Sequence, residues 1–227
     1  MKTKFIFILL FTSFVATTYS QQNKISIQFV PKYNSLPIEP GKKYPYKNDS
    51  VEIETLKFYI SGTRFYNDSL LVDEVKRKHQ LIDLENPASQ FVYHLAEKKI
   101  QFNRVSFSIG VDSITNESGA LGDDLDPTNG MYWTWQSGYI NFKLEGITKI
   151  CPARKNQFTF HIGGYQHPYN TIQNIELAVA DTANIVIGFD VSLLLNQLNL
   201  AELYEVMSPN EKAMAIAKKI GAAFTAQ

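Results

Sequence analysis

Four histidines, at positions 79, 94, 161 and 167, and two tryptophans, Trp133 and Trp135, are the side chains of this sequence best suited to chemistry. Imidazole is the usual protein ligand for copper and zinc, and four rings are enough to build a site. His161 is the most informative: Phe158, Phe160 and Ile162 alternate with it, so the strand they predict turns the apolar residues one way and His161 the other. His94, within FVYHL, reads as structural. His167, in the turn-like QHPYN, reads as a loop residue near enough to His161 to serve as a secondary ligand. No G-x-S-x-G, H-E-x-x-H, C-x-x-C or glycine-rich phosphate loop is present, so no enzymatic activity is expected. Cys151 is the single cysteine and has no internal disulfide partner; burial is its expected state.

Both tryptophans fall in the segment 119–139, GALGDDLDPTNGMYWTWQSGY. Spaced two apart, they share a face if the segment is extended. Asp123, Asp124, Asp126, Pro127, Asn129 and Gly130 are turn formers. Counted from Asp124, glycine falls at the seventh place of a calcium loop instead of the sixth, and Trp135 occupies the place of the bidentate glutamate. The loop is therefore read as a turn with capping aspartates. If strand phase continues through Ser137 and Gly138, the tryptophans and Tyr139 point away from Ile140, Phe142 and Leu144; a bulge there would bury them with the core. The first case admits a metal-free alternative, in which Tyr132, Trp133, Trp135 and Tyr139 form an aromatic platform for a glycan or another protein.

The elements that position these residues are mostly strands. Lys2 and Lys4 precede the apolar run Phe5–Leu10, and Thr18 and Ser20 suit a signal-peptidase site, so residues 1–20 read as a signal peptide. The apolar run is too short for a membrane span. Removing two lysines from 22 basic residues leaves a slight acidic excess, which gives nucleic acid no electrostatic footprint. With 44% hydrophobic and 19% charged residues, 21–227 is expected to be one globular domain, exported to the periplasm or cell surface.

Alternation predicts strands at 24–30, 51–61, 103–111, 140–145, 158–162, 175–179 and 185–191. In 51–61 the apolar phase switches between Ile53 and Leu56, which predicts a bulge near Thr55. Pro31–Ser50 reads as a long surface loop, His79–Leu84 as extended, and Asn86–Lys98 as a short helix or loop. Leu193–Tyr204 looks helical, and Ser208-Pro209-Asn210-Glu211 resembles a capping box opening a helix over about 209–224. The pattern is that of an all-β protein: a two-layer, immunoglobulin-like antiparallel sandwich with short C-terminal helices.

The strings LDPTNGMYWTWQSGY, NFKLEG and CPARKNQFTFHIGGY, with LKFYIS and HQLIDL upstream, resemble the MbnP-like family of exported copper-binding proteins, the methanobactin partners. The most specific piece is G-M-Y-W-x-W-x-S-G-Y, and the resemblance spans roughly residues 24–207. It implies a β-sandwich holding one copper ion through histidines, with one tryptophan oxidised to kynurenine by a diheme cytochrome c peroxidase-like partner. Carried onto this sequence, His79 and His161 are the expected copper ligands. Trp133, then Trp135, is the expected kynurenine, with Asp83 placed to orient a ring.

Overall fold

The computed structural model describes residues 23–136, 138–180 and 183–227, so the signal-peptide reading of residues 1–20 lies outside the described residues. In chain order the first strands are β1 (Asn23–Tyr33), β2 (Leu36–Pro37), β3 (Lys43–Tyr46) and β4 (Asp49–Asn67), then β5 (Leu70–Glu74) and β6 (His79–Asp83). Next come β7 (Phe91–Ala96), β8 (Arg104–Ile109), α1 (Ser113–Glu117), β9 (Tyr132–Trp133), β10 (Gly138–Ile147) and β11 (Gln157–Gly163). The chain finishes with β12 (Gln173–Ala178), β13 (Asn184–Asp190), α2 (Val191–Leu195), β14 (Glu205–Val206), α3 (Glu211–Gly221) and β15 (Phe224–Ala226).

The strands form a β-sandwich, as alternation led one to expect. Its larger, ten-stranded layer is built around β4, the longest strand. One edge of β4 pairs in succession with β3, β6 and β5; the other pairs with β10 and then β8. The smaller layer has β1 at its centre, flanked by β13 on one side and by β7 and β2 on the other. Two pairings, β1 with β13 and β11 with β14, are parallel, so the sandwich is mixed and not wholly antiparallel.

Inward side chains of both layers meet in one core that includes Phe29, Phe58, Phe107, Phe142, Phe189 and Phe224. Edge-on contacts such as Phe29 on Phe107, centroids 5.2 Å apart at 85°, match the quadrupoles of the rings. The bulge expected near Thr55 is present: β10 pairs Glu145 with Thr55 but Gly146 with Ile53, leaving Glu54 as the extra residue. Cys151 is buried, its thiol donating to the Gln157 carbonyl at 3.0 Å.

Several local expectations are corrected. Asn86–Lys98 contains a single 3-10 turn, Pro87–Gln90, and then strand β7. Val92, His94 and Ala96 alternate inward there, and the free edge of β1 takes up the strand. Pro31–Ser50 is not a plain loop, because Tyr44 and Tyr46 on β3 are buried. The helix expected over Leu193–Tyr204 is one short turn ending at Leu195. The last helix begins at Glu211, where Asn210 caps it by accepting from Ala213 N, and the chain then returns as β15 because Phe224 is needed in the core. Among the described residues, no helix is long and apolar enough to cross a membrane.

His94 is structural, as its surroundings in the sequence suggested. Its Nε2 lies 2.8 Å from Asp73 Oδ2, which joins β7 of one layer to β5 of the other against the ring of Phe65. Burial raises the Asp73 carboxyl, but the hydrogen bonds from His94 and from Glu74 N, with the nearby positive charge, hold it below the ordinary aspartate value. A lowered folded value gives stability that is present above the unfolded value and lost as pH falls below about 4. Asp73→Asn should therefore flatten the acid limb of a stability-versus-pH curve, measured by urea unfolding of the metal-free chain, and leave the curve near neutrality parallel to that of the parent.

Candidate functional site

Part of the outer face of the large layer is closed off from solvent. A cover segment, residues 111–139, folds across it and buries a second apolar cluster: Tyr59, Leu81, Val111, Leu125, Met131, Trp133, Tyr139 and Ile140. The aspartates do the fastening. Asp124 accepts from Leu81 N at 2.9 Å and pairs with Arg77 at 2.8 Å, while its carbonyl accepts from the Tyr59 hydroxyl at 3.0 Å. Asp126 caps the next turn by accepting from Thr128 N at 2.8 Å. Asp126 plays the cap role expected of the aspartates, whereas Asp124 ties the loop to the sheet instead.

Trp133 and Trp135 do not lie on one strand. Trp133 pairs with Gly138 across a tight reversal through Thr134–Gln136, a hairpin in place of the continuous strand or the bulge. Trp133 is consequently 6% exposed and Trp135, at the tip, 66%, with ring centroids 5.7 Å apart. Tyr139 is buried and Tyr132 half-buried, so the four-ring platform is not formed: the hairpin turns all but Trp135 inward.

The indole of Trp133 rests on Gly163. A Cβ on that glycine would stand 2.7 Å from Trp133 Cζ3 and 2.6 Å from the Tyr139 carbonyl oxygen. Only a residue without a side chain lets the ring lie against the strand. Two residues back on the same face of β11, about 6.6 Å away, is His161. Its ring is nearly buried, at 8% exposed, on the face opposite the core residues Phe158, Phe160 and Ile162. His161 Nε2 meets Glu145 Oε1 at 2.6 Å. That hydrogen bond, helped by Lys143 3.7 Å away and by Thr55, draws the Glu145 carboxyl down to about 2 against the burial that would raise it. With Nε2 held by a carboxylate, Nδ1 is the nitrogen left to face an ion, the arrangement by which outer carboxylates orient metal-binding imidazoles.

Trp133 also lines a cavity of about 150 Å³ with Tyr139, Tyr165, His167, Tyr169 and Pro209. The structure thus brings Trp133 close to both His161 and His167. It does not bring His79 to His161. In register, Ser61 stands opposite His79, whereas the row of His161 runs through Lys143, Lys57 and Asp83. Three strand spacings and four residues separate the two rings, on the order of 15–20 Å. His79 instead pairs with Asp112, at 2.8 Å. Asp83 pairs with Lys57 at 2.9 Å, and the ring-orienting carboxylates are Glu145, Asp112 and Asp73. Among the described residues, no group of three or more His, Cys, Asp or Glu side chains converges as a metal cage.

Sequence reading missed Glu145 and Gly163. Glu145 could have been found by pairing the strands on either side of Thr148–Asn156, which sets Lys143 opposite His161 and Glu145 one step along the same face. Gly163 could not, because its role depends on where the hairpin drops Trp133.

The fold and site define a class: a β-sandwich whose outer face carries a nearly buried histidine and tryptophan. The family model for MbnP matches residues 22–208, and the chain belongs to the MbnP family. Among solved structures, MbnP from Methylosinus trichosporium is similar, with a TM-score of 0.61 at 12% identity over 78% of this chain and 79% of that one, a likeness of fold. No curated protein matches the sequence.

Proposed function

We propose that this chain is an exported, non-enzymatic copper-handling protein that holds one copper ion at His161 beside Trp133. The observation that carries this reading is the seat of the Trp133 indole on Gly163, one strand repeat from an imidazole whose Nε2 is already held by Glu145. Imidazole nitrogen suits both common oxidation states of copper. His167, which lines a cavity together with Trp133, is the second histidine in the neighbourhood. Trp133, nearly buried, is the tryptophan placed to become kynurenine; the amine and carbonyl so formed would lie next to His161. Trp135, at the exposed tip, is the second choice. The oxidation belongs to a diheme cytochrome c peroxidase-like partner, which the family resemblance supplies. The cell envelope is the setting, on the strength of residues 1–20, and uptake, storage or delivery of copper is the role.

Purified mature chain loaded with copper and desalted should retain about one ion. The variant His161→Ala should retain none. Retention equal to the parent would remove His161 from the site. Peptide mapping of protein from its native cells should find kynurenine at Trp133 and an unmodified Trp135; two intact tryptophans would remove the oxidation from the account.

A further inference from the structure

We infer that His79 is a positioning residue, which pins the start of the cover segment to β6 and so holds the Trp133 hairpin in place. This rests on the proposed copper site only where copper enters the test.

The connection can be followed bond by bond. His79, with a side chain only 7% exposed, places Nε2 2.8 Å from Asp112 Oδ2. Asp112 is the N-cap of α1: Oδ1 accepts from Thr115 N at 2.9 Å and Oδ2 from the Thr115 hydroxyl at 2.8 Å. Two carboxylate oxygens are thus shared between a strand of the sheet and the first turn of the cover. Four residues on, Asn116 is buried. Its amide donates to Val111 O at 2.8 Å and Asp112 O at 3.1 Å, and its Oδ1 accepts from Tyr139 N at 2.8 Å. Tyr139 follows Gly138, the residue that pairs with Trp133. Three side chains, His79, Asp112 and Asn116, therefore lead from β6 to the hairpin that carries the indole.

The fastening is repeated. Arg77, His79 and Leu81 lie at alternate positions, and each holds the cover: His79 through Asp112, Arg77 and the Leu81 amide through Asp124. The holds thus come from β6 and from Arg77 just before it, two through side chains and one through a backbone amide. A ligand role for His79 in the same copper site as His161 would need the two rings within a few ångströms, which the register of β6, β4, β10 and β11 forbids.

The test compares His79→Ala, Asp112→Asn and His79→Gln with the parent, first without metal. Amide hydrogen exchange in 111–118 and at Tyr139 should accelerate about ten- to hundredfold in His79→Ala and Asp112→Asn, as expected for loss of a charge-assisted hydrogen bond. Trp133 emission should shift to the red. His79→Gln keeps an N–H that can reach Asp112 and should restore most of the protection, which a merely space-filling histidine would not allow. With copper, His79→Ala should still bind one ion with the same number of imidazole ligands by X-ray absorption, but release it faster. Unchanged exchange in both His79→Ala and Asp112→Asn would overturn the inference, as would loss of one imidazole from the copper spectrum. If the parent binds no copper, the copper reading fails while the metal-free exchange still decides the role of His79.

Discussion

Gly163→Val should expel Trp133 from its seat. Its first carbon would stand 2.7 Å from Cζ3 and 2.9 Å from Cη2 of the indole, and 2.6 Å from the Tyr139 carbonyl oxygen. The ring can swing away, but the carbonyl is fixed by the strand, so the indole and its hairpin must move together. Displacing a buried tryptophan costs about 3–5 kcal/mol when the site does not collapse around the loss. Urea unfolding should show that loss, and Trp133 emission should move to the wavelength of a solvated indole before unfolding begins. Copper retention should fall with it, because His161 would keep its Glu145 partner but lose the neighbouring ring. A Gly163→Val chain with parental stability and emission would mean that the indole does not rest on this strand.

Gly146→Ala should be comparably damaging for a different reason. Gly146 sits at the bulge where β10 skips Glu54, and a Cβ there would collide with the Glu52 carbonyl oxygen and lie 2.7 Å from Phe158 Cζ. One obstacle is backbone and the other a buried ring, so neither yields cheaply. A loss of about 3 kcal/mol is expected, equivalent to a fall in Tm of roughly 6–12 °C for a chain of this size. The bulge also sets the facing of Glu145, the residue before it. Surviving Gly146→Ala protein should therefore show a weakened hold of Glu145 on His161, read as a shift of the His161 ring resonances. Parental stability in Gly146→Ala would contradict the register described for β4 and β10.

The large-scale fold was legible because alternation is written into single strands. Phe158, Phe160 and Ile162 set His161 on the outer face, and the broken phase between Ile53 and Leu56 marked the bulge at Glu54. Parallel pairing of β1 with β13 was not legible, since partners more than 150 residues apart leave no local trace. Strand β7 was hidden by the turn signal of Asn86-Pro87 before it, and β15 by the apolar end of the last helix.

The site was half legible for the same reason. His161 could be placed from its own strand, and the sequence singled out Trp133. Their closeness depends on Gly163 and on a hairpin whose reversal at Thr134–Gln136 looked like continuing strand. Family resemblance pointed to His79, but nothing local reveals that a histidine and its expected partner fall in different rows of the sheet. Asp83 likewise suited a ring-orienting role by sequence, while pairing across β4 gives it to Lys57.

Crystals of the protein soaked with copper, with diffraction recorded at the copper edge, test the central claim most directly. One anomalous peak is predicted, within bonding distance of His161 Nδ1 and beside the Trp133 side chain or the kynurenine derived from it. A peak on His79 with none at His161, or no peak at all in protein saturated with copper, would contradict it.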